Sequence, residues 1–230
     1  MRIKKISKSQ LSEKVAKMLR ADIFTLEYAR GERLIVETLA DKMHVSMTPV
    51  RDGLKKLVSD GIVEYDGKTY SVFNPTERDI QNIFSIRRYL EMLSARTAAT
   101  NISKELLDEL FAKCYQIKEN TNIGGQVFIQ SDTEFHRMLV KGSGNDKLQK
   151  LLLPIEDQCY LIRLWSYVHE FPQIYIVKSV EEHISILEAI RDGDPTKAEN
   201  EMEKHIVKGE KRAWNAIKKR NIFFPEPISK

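Results

Sequence analysis

Asp132 and His136 stand four residues apart, so a helix through them puts a carboxylate and an imidazole on one face, flanked there by Ile129 and Leu139. His183 interrupts the apolar series Ile176, Val180, Leu187 and Ile190, and His205 falls in the series Ala198, Met202 and Gly209. Asp192-Gly193-Asp194-Pro195 reads as a turn between them. Counted from Asp194, each histidine is 11 residues away, about 16 Å along its own helix at ~1.5 Å per residue. Antiparallel packing of the two helices therefore sets the two imidazoles level. Neutral imidazoles with one carboxylate suit a divalent ion of borderline softness, zinc or nickel foremost, and helical bundles build such sites in their cores.

Four ligands leave positions open on a metal that accepts about five or six. An open position can hold an activated water, as in a metal-dependent helical-bundle enzyme, or a carboxylate or hydroxyl of a small organic effector. It can also stay unused, the metal merely fastening three helices. No nucleophile motif, glycine-rich phosphate loop or spare inward carboxylate is evident, which favours effector binding over turnover. Arg87, aligned with Ile80, Ile83, Leu90 and Ser94, is a candidate to neutralise a second carboxylate of the effector, and Arg163 is another. Structural pairing with Glu, or a place on the surface, is the plain alternative for both.

These residues require helices, and everything beyond Pro75 is helical in pattern. Thr76 precedes a stripe of Ile80, Ile83, Leu90 and Ala98, and Ser103 caps a helix through Leu106, Leu110 and Ile117. Further helices are predicted over roughly 126–141, from the Gly142-Ser143-Gly144-Asn145 stop to about Val168, over 173–191 and over 195–219. Before Pro75 the pattern differs. A helix over 9 to about 29 carries Leu11, Val15, Met18, Leu19, Ile23 and Leu26, and Arg33-Leu34-Ile35 adds a short strand. A short helix over 36–43 follows, then a third with Ser46 as N-cap, Pro49 in its first turn and Val50, Leu54, Leu57 and Val58 buried. Two strands, Ile62–Tyr65 and Tyr70–Phe73, surround the turn Asp66-Gly67. Three helices and a hairpin are the order of a winged helix-turn-helix.

The expected fold is thus mainly α. Residues 1–75 form a winged helix-turn-helix DNA-binding domain, and 76–230 an antiparallel bundle of about six helices for effector binding and dimerisation. A length of 230 residues at 42% hydrophobic suffices for two cores. No apolar run approaches the ~20 residues of a membrane span, and the basic start lacks the apolar stretch of a signal peptide, so a cytoplasmic protein without a membrane partner is expected. Cys114 and Cys159 read as reduced packing thiols. The net charge of +4 is uneven: 14 of the 37 basic and 10 of the 33 acidic residues lie in 1–75, leaving the remainder neutral. A local positive excess is what phosphate binding needs. At the start of the third helix, Ser46, Met47, Thr48 and Arg51 are placed to reach bases or phosphates, with Lys55 and Lys56 a turn further on. Arg51 is suited to a bidentate guanine or phosphate contact, and Lys68 at the hairpin tip to a neighbouring phosphate or the minor groove. A basic protein-interaction surface is the alternative. One recognition helix reads few base pairs, so a homodimer on double-stranded operator DNA is expected.

Gly31-Glu32-Arg33-Leu34, Leu39-Ala40, the run Val45-Ser46-Met47-Thr48-Pro49-Val50-Arg51-Asp52-Gly53-Leu54, then Leu57 and Asp60-Gly61 closely resemble the N-terminal signature of GntR-family bacterial transcriptional regulators. That signature usually has Arg at Met47, Glu at Asp52 and Ala at Gly53. Met47 removes one expected contact, and Gly53 inside a helix carries a cost of about 1 kcal/mol relative to Ala. The second half resembles the all-helical effector domain of the FadR subfamily. The resemblance implies DNA binding through the winged domain, Arg33 included, and a metal site in which Asp132, His136, His183 and His205 match the family's Asp-x-x-x-His pair and two later histidines.

Overall fold

The computed structural model describes residues 8–120, 122–166 and 172–219 and divides into two units at Pro75 and Thr76. The expected helix end near Val168 and the tail 221–230 lie outside the described residues.

The first unit runs α1 (Lys8–Phe24), β1 (Arg33–Leu34), α2 (Val36–Met43), α3 (Met47–Ser59), β2 (Val63–Tyr65) and β3 (Tyr70–Val72). α1 stops five residues before the expected position 29. There the Thr25 hydroxyl donates back to the Ala21 and Asp22 carbonyls at 3.0 and 3.2 Å, and Leu26 turns to a left-handed φ of 64° that no helix can continue. Met18, expected among the core residues, is 53% exposed. His44 closes α2 in the left-handed region at φ 53°, and Ser46 takes the cap position of α3 with its side chain making no cap hydrogen bond. The sheet has the order β1-β3-β2, antiparallel throughout, with Arg33 opposite Ser71 and Val63 opposite Val72. Leu19, Ile23, Leu34, Leu54, Leu57 and Ile62 are fully buried.

Gly53 is a correction to the expectation that Ala would serve better. A Cβ there would lie 2.9 Å from Val15 Cγ1 and 3.2 Å from both the Ala16 nitrogen and the Ser12 carbonyl, so the glycine lets α3 press against α1. Overpacking of this kind costs about 1–3 kcal/mol, more than the ~1 kcal/mol of helix propensity that Ala recovers. Gly53→Ala is expected to lower the thermal midpoint, and a rise in a melting experiment would show that α1 yields freely.

The second unit contains α4 (Glu77–Asn101), α5 (Lys104–Glu119), α6 (Gly125–Gly142), α7 (Asp146–Ser166), α8 (Gln173–Arg191) and α9 (Pro195–Lys219). Thr76 and Asp79 form a reciprocal capping box at the start of α4, the Ser103 hydroxyl accepts from the Leu106 N–H, and the Asn145 side chain caps α7 through the Lys147 and Leu148 N–H groups. α4 packs along α9, α9 against α8, α8 against α5, and α6 against both α7 and α4. This wraps α6, α8 and α9 around a common interior. No helix among the described residues is long and apolar enough to cross a membrane.

Candidate metal centre and nucleic-acid interface

In the second unit, the side chains of Asp132 and His136 on α6, His183 on α8 and His205 on α9 all converge. One ligand atom from each lies within 4.8 Å of all the others, and all four residues are buried. His205 Nε2 lies 3.3 Å from His183 Nε2 and 3.2 Å from His136 Nε2. Asp132 Oδ1 is 3.4 Å from His183 Nε2, and Oδ2 is 3.8 Å from His136 Nε2. The Phe135 ring stacks on His183 with centroids 3.8 Å apart.

The outer ring nitrogens show why this cluster fits a metal. His205 Nδ1 faces Glu182 Oε2 at 2.9 Å, and His136 Nδ1 faces Glu91 Oε2. An ionised carboxylate only accepts, so the His205–Glu182 bond puts the proton of neutral His205 on Nδ1 and leaves its Nε2 lone pair facing the cluster. That lone pair faces His136 Nε2 at 3.2 Å, a separation at which one ion can bind both nitrogens. With Zn–N bonds of about 2.1 Å, neighbouring ligand nitrogens sit roughly 3.0 Å apart at right angles and 3.4 Å apart in a tetrahedron. The observed 3.2 and 3.3 Å fall in that interval.

Glu91 and Glu182 were not singled out in the sequence, and they correct the expectation that no inward carboxylate has a role. Each is held by an arginine. Arg87 Nε donates to Glu91 Oε1 at 2.5 Å with both side chains buried, and Arg212 grips Glu182 with two bonds of 3.0 and 2.8 Å. Glu91 had a readable signal, since it continues the inward stripe one turn after Arg87. Glu182 and Arg212 had none, because their meeting depends on how α8 and α9 are rotated. Arg163 on α7 donates to Asp132 Oδ2 and, at 3.0 Å, to Thr133 Oγ1. Arg87, Arg163 and Arg212 together line a cavity of about 40 Å³ against Asp132 and His205. A second buried acidic pair, Glu156 and Asp157, is bound by Arg137 at 2.7 and 3.1 Å. Cys114 and Cys159 are free and buried.

Electrostatics keep the ligands ready. Burial works against the Asp132 charge, but the Arg163 guanidinium beside it holds its carboxyl well below the usual range. Burial lowers both His183 and His205 below the ordinary histidine value, so they stay neutral and able to donate lone pairs. Glu182 is opposed by burial yet pulled down to about 2 by hydrogen bonds from His205 and Arg212. The sign of the pH dependence follows. As pH falls through ~6.5, unfolded histidines take up protons that folded His183 and His205 refuse, so stability declines below that pH. The Glu182 contribution is complete above ~4.3 and is lost as pH falls towards 2. Each such group adds a slope of at most about 1.4 kcal/mol per pH unit. Melts of chelator-treated protein are expected to fall steadily from pH 7 to pH 5, and a flat profile would contradict neutral burial.

In the first unit, Ser46, Met47, Thr48, Arg51 and Lys55 are all exposed on α3, and Arg33 and Lys68 are exposed on the sheet and hairpin. The hairpin tip is shaped by Asp66, whose Oδ1 accepts from the Lys68 and Thr69 N–H groups at 2.8 and 2.6 Å, and by Gly67 at φ 94°. Lys56 instead pairs with Glu13 on α1.

Comparison with known proteins agrees with both halves. Residues 11–69 match the gntR family of bacterial regulatory proteins, and residues 82–208 match the FCD domain. The transcriptional repressor NanR of Salmonella newport is 27% identical over 246 residues, covering 96% of this chain and 92% of NanR. Escherichia coli McbR/YncC shares the fold at a TM-score of 0.73 and 20% identity, covering 89% of this chain and 97% of that one. The metal-free FCD domain of the regulator TM0439 superposes at a TM-score of 0.54 and 21% identity, covering 63% of this chain and 98% of that domain. The relatives are named as transcriptional regulators, so the metal-dependent enzyme gives way as a reading. This chain belongs to the gntR family of bacterial regulatory proteins, with an FCD domain as its helical second unit.

Proposed function

We propose that this regulator is a homodimer that binds a two-fold operator through its winged domain and responds to a small carboxylate held beside a divalent metal. Asp132, His136, His183 and His205 would bind the ion, with zinc or nickel foremost. The single observation that carries the metal reading is the convergence of four buried ligand atoms within 4.8 Å of one another. The metal, when bound, offers an open position to an anionic oxygen. Arg87, Arg163 and Arg212 line the adjoining cavity and, with Glu91, Asp132 and Glu182 already on them, would offer their remaining N–H donors to the anion. Its roughly 40 Å³ exceeds the ~10–15 Å³ that one water needs, which suits a carboxylate group. On α4, Ile86, Tyr89 and Leu93 are exposed apolar residues at helical spacing and offer a face for the second copy. Acting on DNA, the protein would work in the cytoplasm.

Arg33, Ser46, Met47, Thr48, Arg51, Lys55 and Lys68 form the proposed DNA surface. Arg51→Ala is expected to weaken operator binding by about 1–3 kcal/mol, roughly 5- to 150-fold, with metal content unchanged. Fluorescence anisotropy on an operator selected from a random pool measures this. An Arg51→Ala protein that binds as tightly as the parent would remove α3 from the interface. Elemental analysis and native mass of the purified protein test the metal, a retained acid and the dimer together. If stripping the metal lowers stability but leaves operator binding equally responsive to carboxylates, the ion is only a fastener.

A further inference from the structure

Asp132 and Phe128 are shared walls of two cavities. The first is the arginine-lined space already described. The second, of about 100 Å³, lies on the α5 side and is walled by Lys113, Cys114 and Gln116 of α5, Ser131 and Glu134 of α6, and His183. Their charge balances differ. In the first, each guanidinium already sits on a carboxylate, Arg87 on Glu91, Arg163 on Asp132 and Arg212 on Glu182, so its charges balance. The second sets one ammonium against Asp132 and Glu134. That ammonium is itself occupied, Lys113 Nζ being 3.2 Å from Glu134 and 3.9 Å from Glu109. Ser131, Gln116 and Cys114 add neutral oxygen and sulfur donors to the wall, and Ile117, Phe128 and Phe135 make up its apolar part.

A divalent cation approaching from the first side meets guanidinium N–H donors whose carboxylates are already engaged, and so finds no net attraction. From the second side it meets net negative charge and neutral donors that can replace its hydration in steps. We propose that the metal reaches Asp132 and His183 through the α5–α6 cavity, leaving the arginine-lined cavity to anions. The inference rests on the metal reading of the four-residue cluster. It gives the centre two doors, so that a bound carboxylate does not bar metal exchange.

Chelator-stripped full-length protein mixed rapidly with Co²⁺ tests this, the visible absorption of the bound ion reporting loading and a competing chelator reporting release. Ser131→Phe narrows the proposed route without touching a ligand. It should slow loading and release by the same factor, about tenfold or more, with the equilibrium constant within about twofold, since an obstacle on the path alters the barrier and not the end states. Glu134→Lys, at an exposed position and therefore safe for folding, should slow loading at least threefold at low salt, and less at high salt. Gly209→Leu, on the arginine side, should leave loading unchanged. Unaltered rates in Ser131→Phe or Glu134→Lys would overturn the route, as would slowing confined to Gly209→Leu. If the parent protein takes up no ion at all, the metal reading itself has failed, which is a different result.

Discussion

His205→Ala is expected to empty the metal centre while leaving a folded regulator. His205 Nε2 is the nitrogen nearest to both other imidazoles, at 3.3 and 3.2 Å, so its loss takes out the centre of the ligand set. Apparent zinc binding by a four-ligand site is worth about 10–16 kcal/mol at neutral pH, and one ligand of four accounts for roughly 2.5–4 kcal/mol of that. Metal affinity should therefore fall about 100- to 1000-fold. The scaffold has reason to survive, because Glu182 keeps both of its bonds to Arg212 when the imidazole is gone. Metal also stabilises by mass action, by about 4 kcal/mol at a thousandfold excess over its dissociation constant. At roughly 2–4 °C per kcal/mol for a chain of this size, the parent should gain about 8–16 °C in melting temperature on loading. The variant at the same metal concentration should lose most of that gain. Dialysis followed by elemental analysis, with paired melts, decides it, and full occupancy in the variant would sink the site.

Arg87→Met should be the most destabilising single change in the helical unit. It leaves Glu91, whose side chain is 1% exposed, ionised and without its guanidinium. Breaking a buried pair from one side costs about 3–5 kcal/mol, or roughly 6–20 °C in melting temperature at the size scaling above. Removing both partners is expected to behave differently. Arg87→Met with Glu91→Leu replaces the pair by apolar volume and should recover most of the loss. The same double variant leaves His136 Nδ1 without its carboxylate, so its metal affinity should remain about 10- to 100-fold below the parent. Stability would then return without metal affinity, separating the two duties of Glu91. A melt of Arg87→Met within about a degree of the parent would show that the pair is not held as tightly as its geometry implies.

Much of this architecture was open to reading in the chain. The turn at Asp194, with histidines at equal distances on either side, predicted two level imidazoles, and they stand 3.3 Å apart. The helix-helix-helix-hairpin order emerged from the spacing of apolar residues, as did the six helices beyond Thr76 among the described residues. The exceptions have physical causes. α1 ended early because a threonine hydroxyl and a left-handed leucine competed locally with helical periodicity. Gly53 looked like a liability within its own helix and became a requirement once Val15 and the α1 backbone lay within 3.2 Å of its missing Cβ.

The arginines mark the boundary between the two kinds of knowledge. Periodicity along α4 told that Arg87 points inward, because a helix repeats with a period that the chain itself carries. Its partner Glu91 lay one turn away and was within reach of the same argument. No local rule could bring Glu182 of α8 and Arg212 of α9 onto His205, or Arg163 of α7 onto Asp132. Those meetings depend on the relative rotation and height of helices far apart in the chain, which are set by packing over the whole core. Residue types and spacing thus specified which side chains face the interior, and the assembled bundle chose their partners.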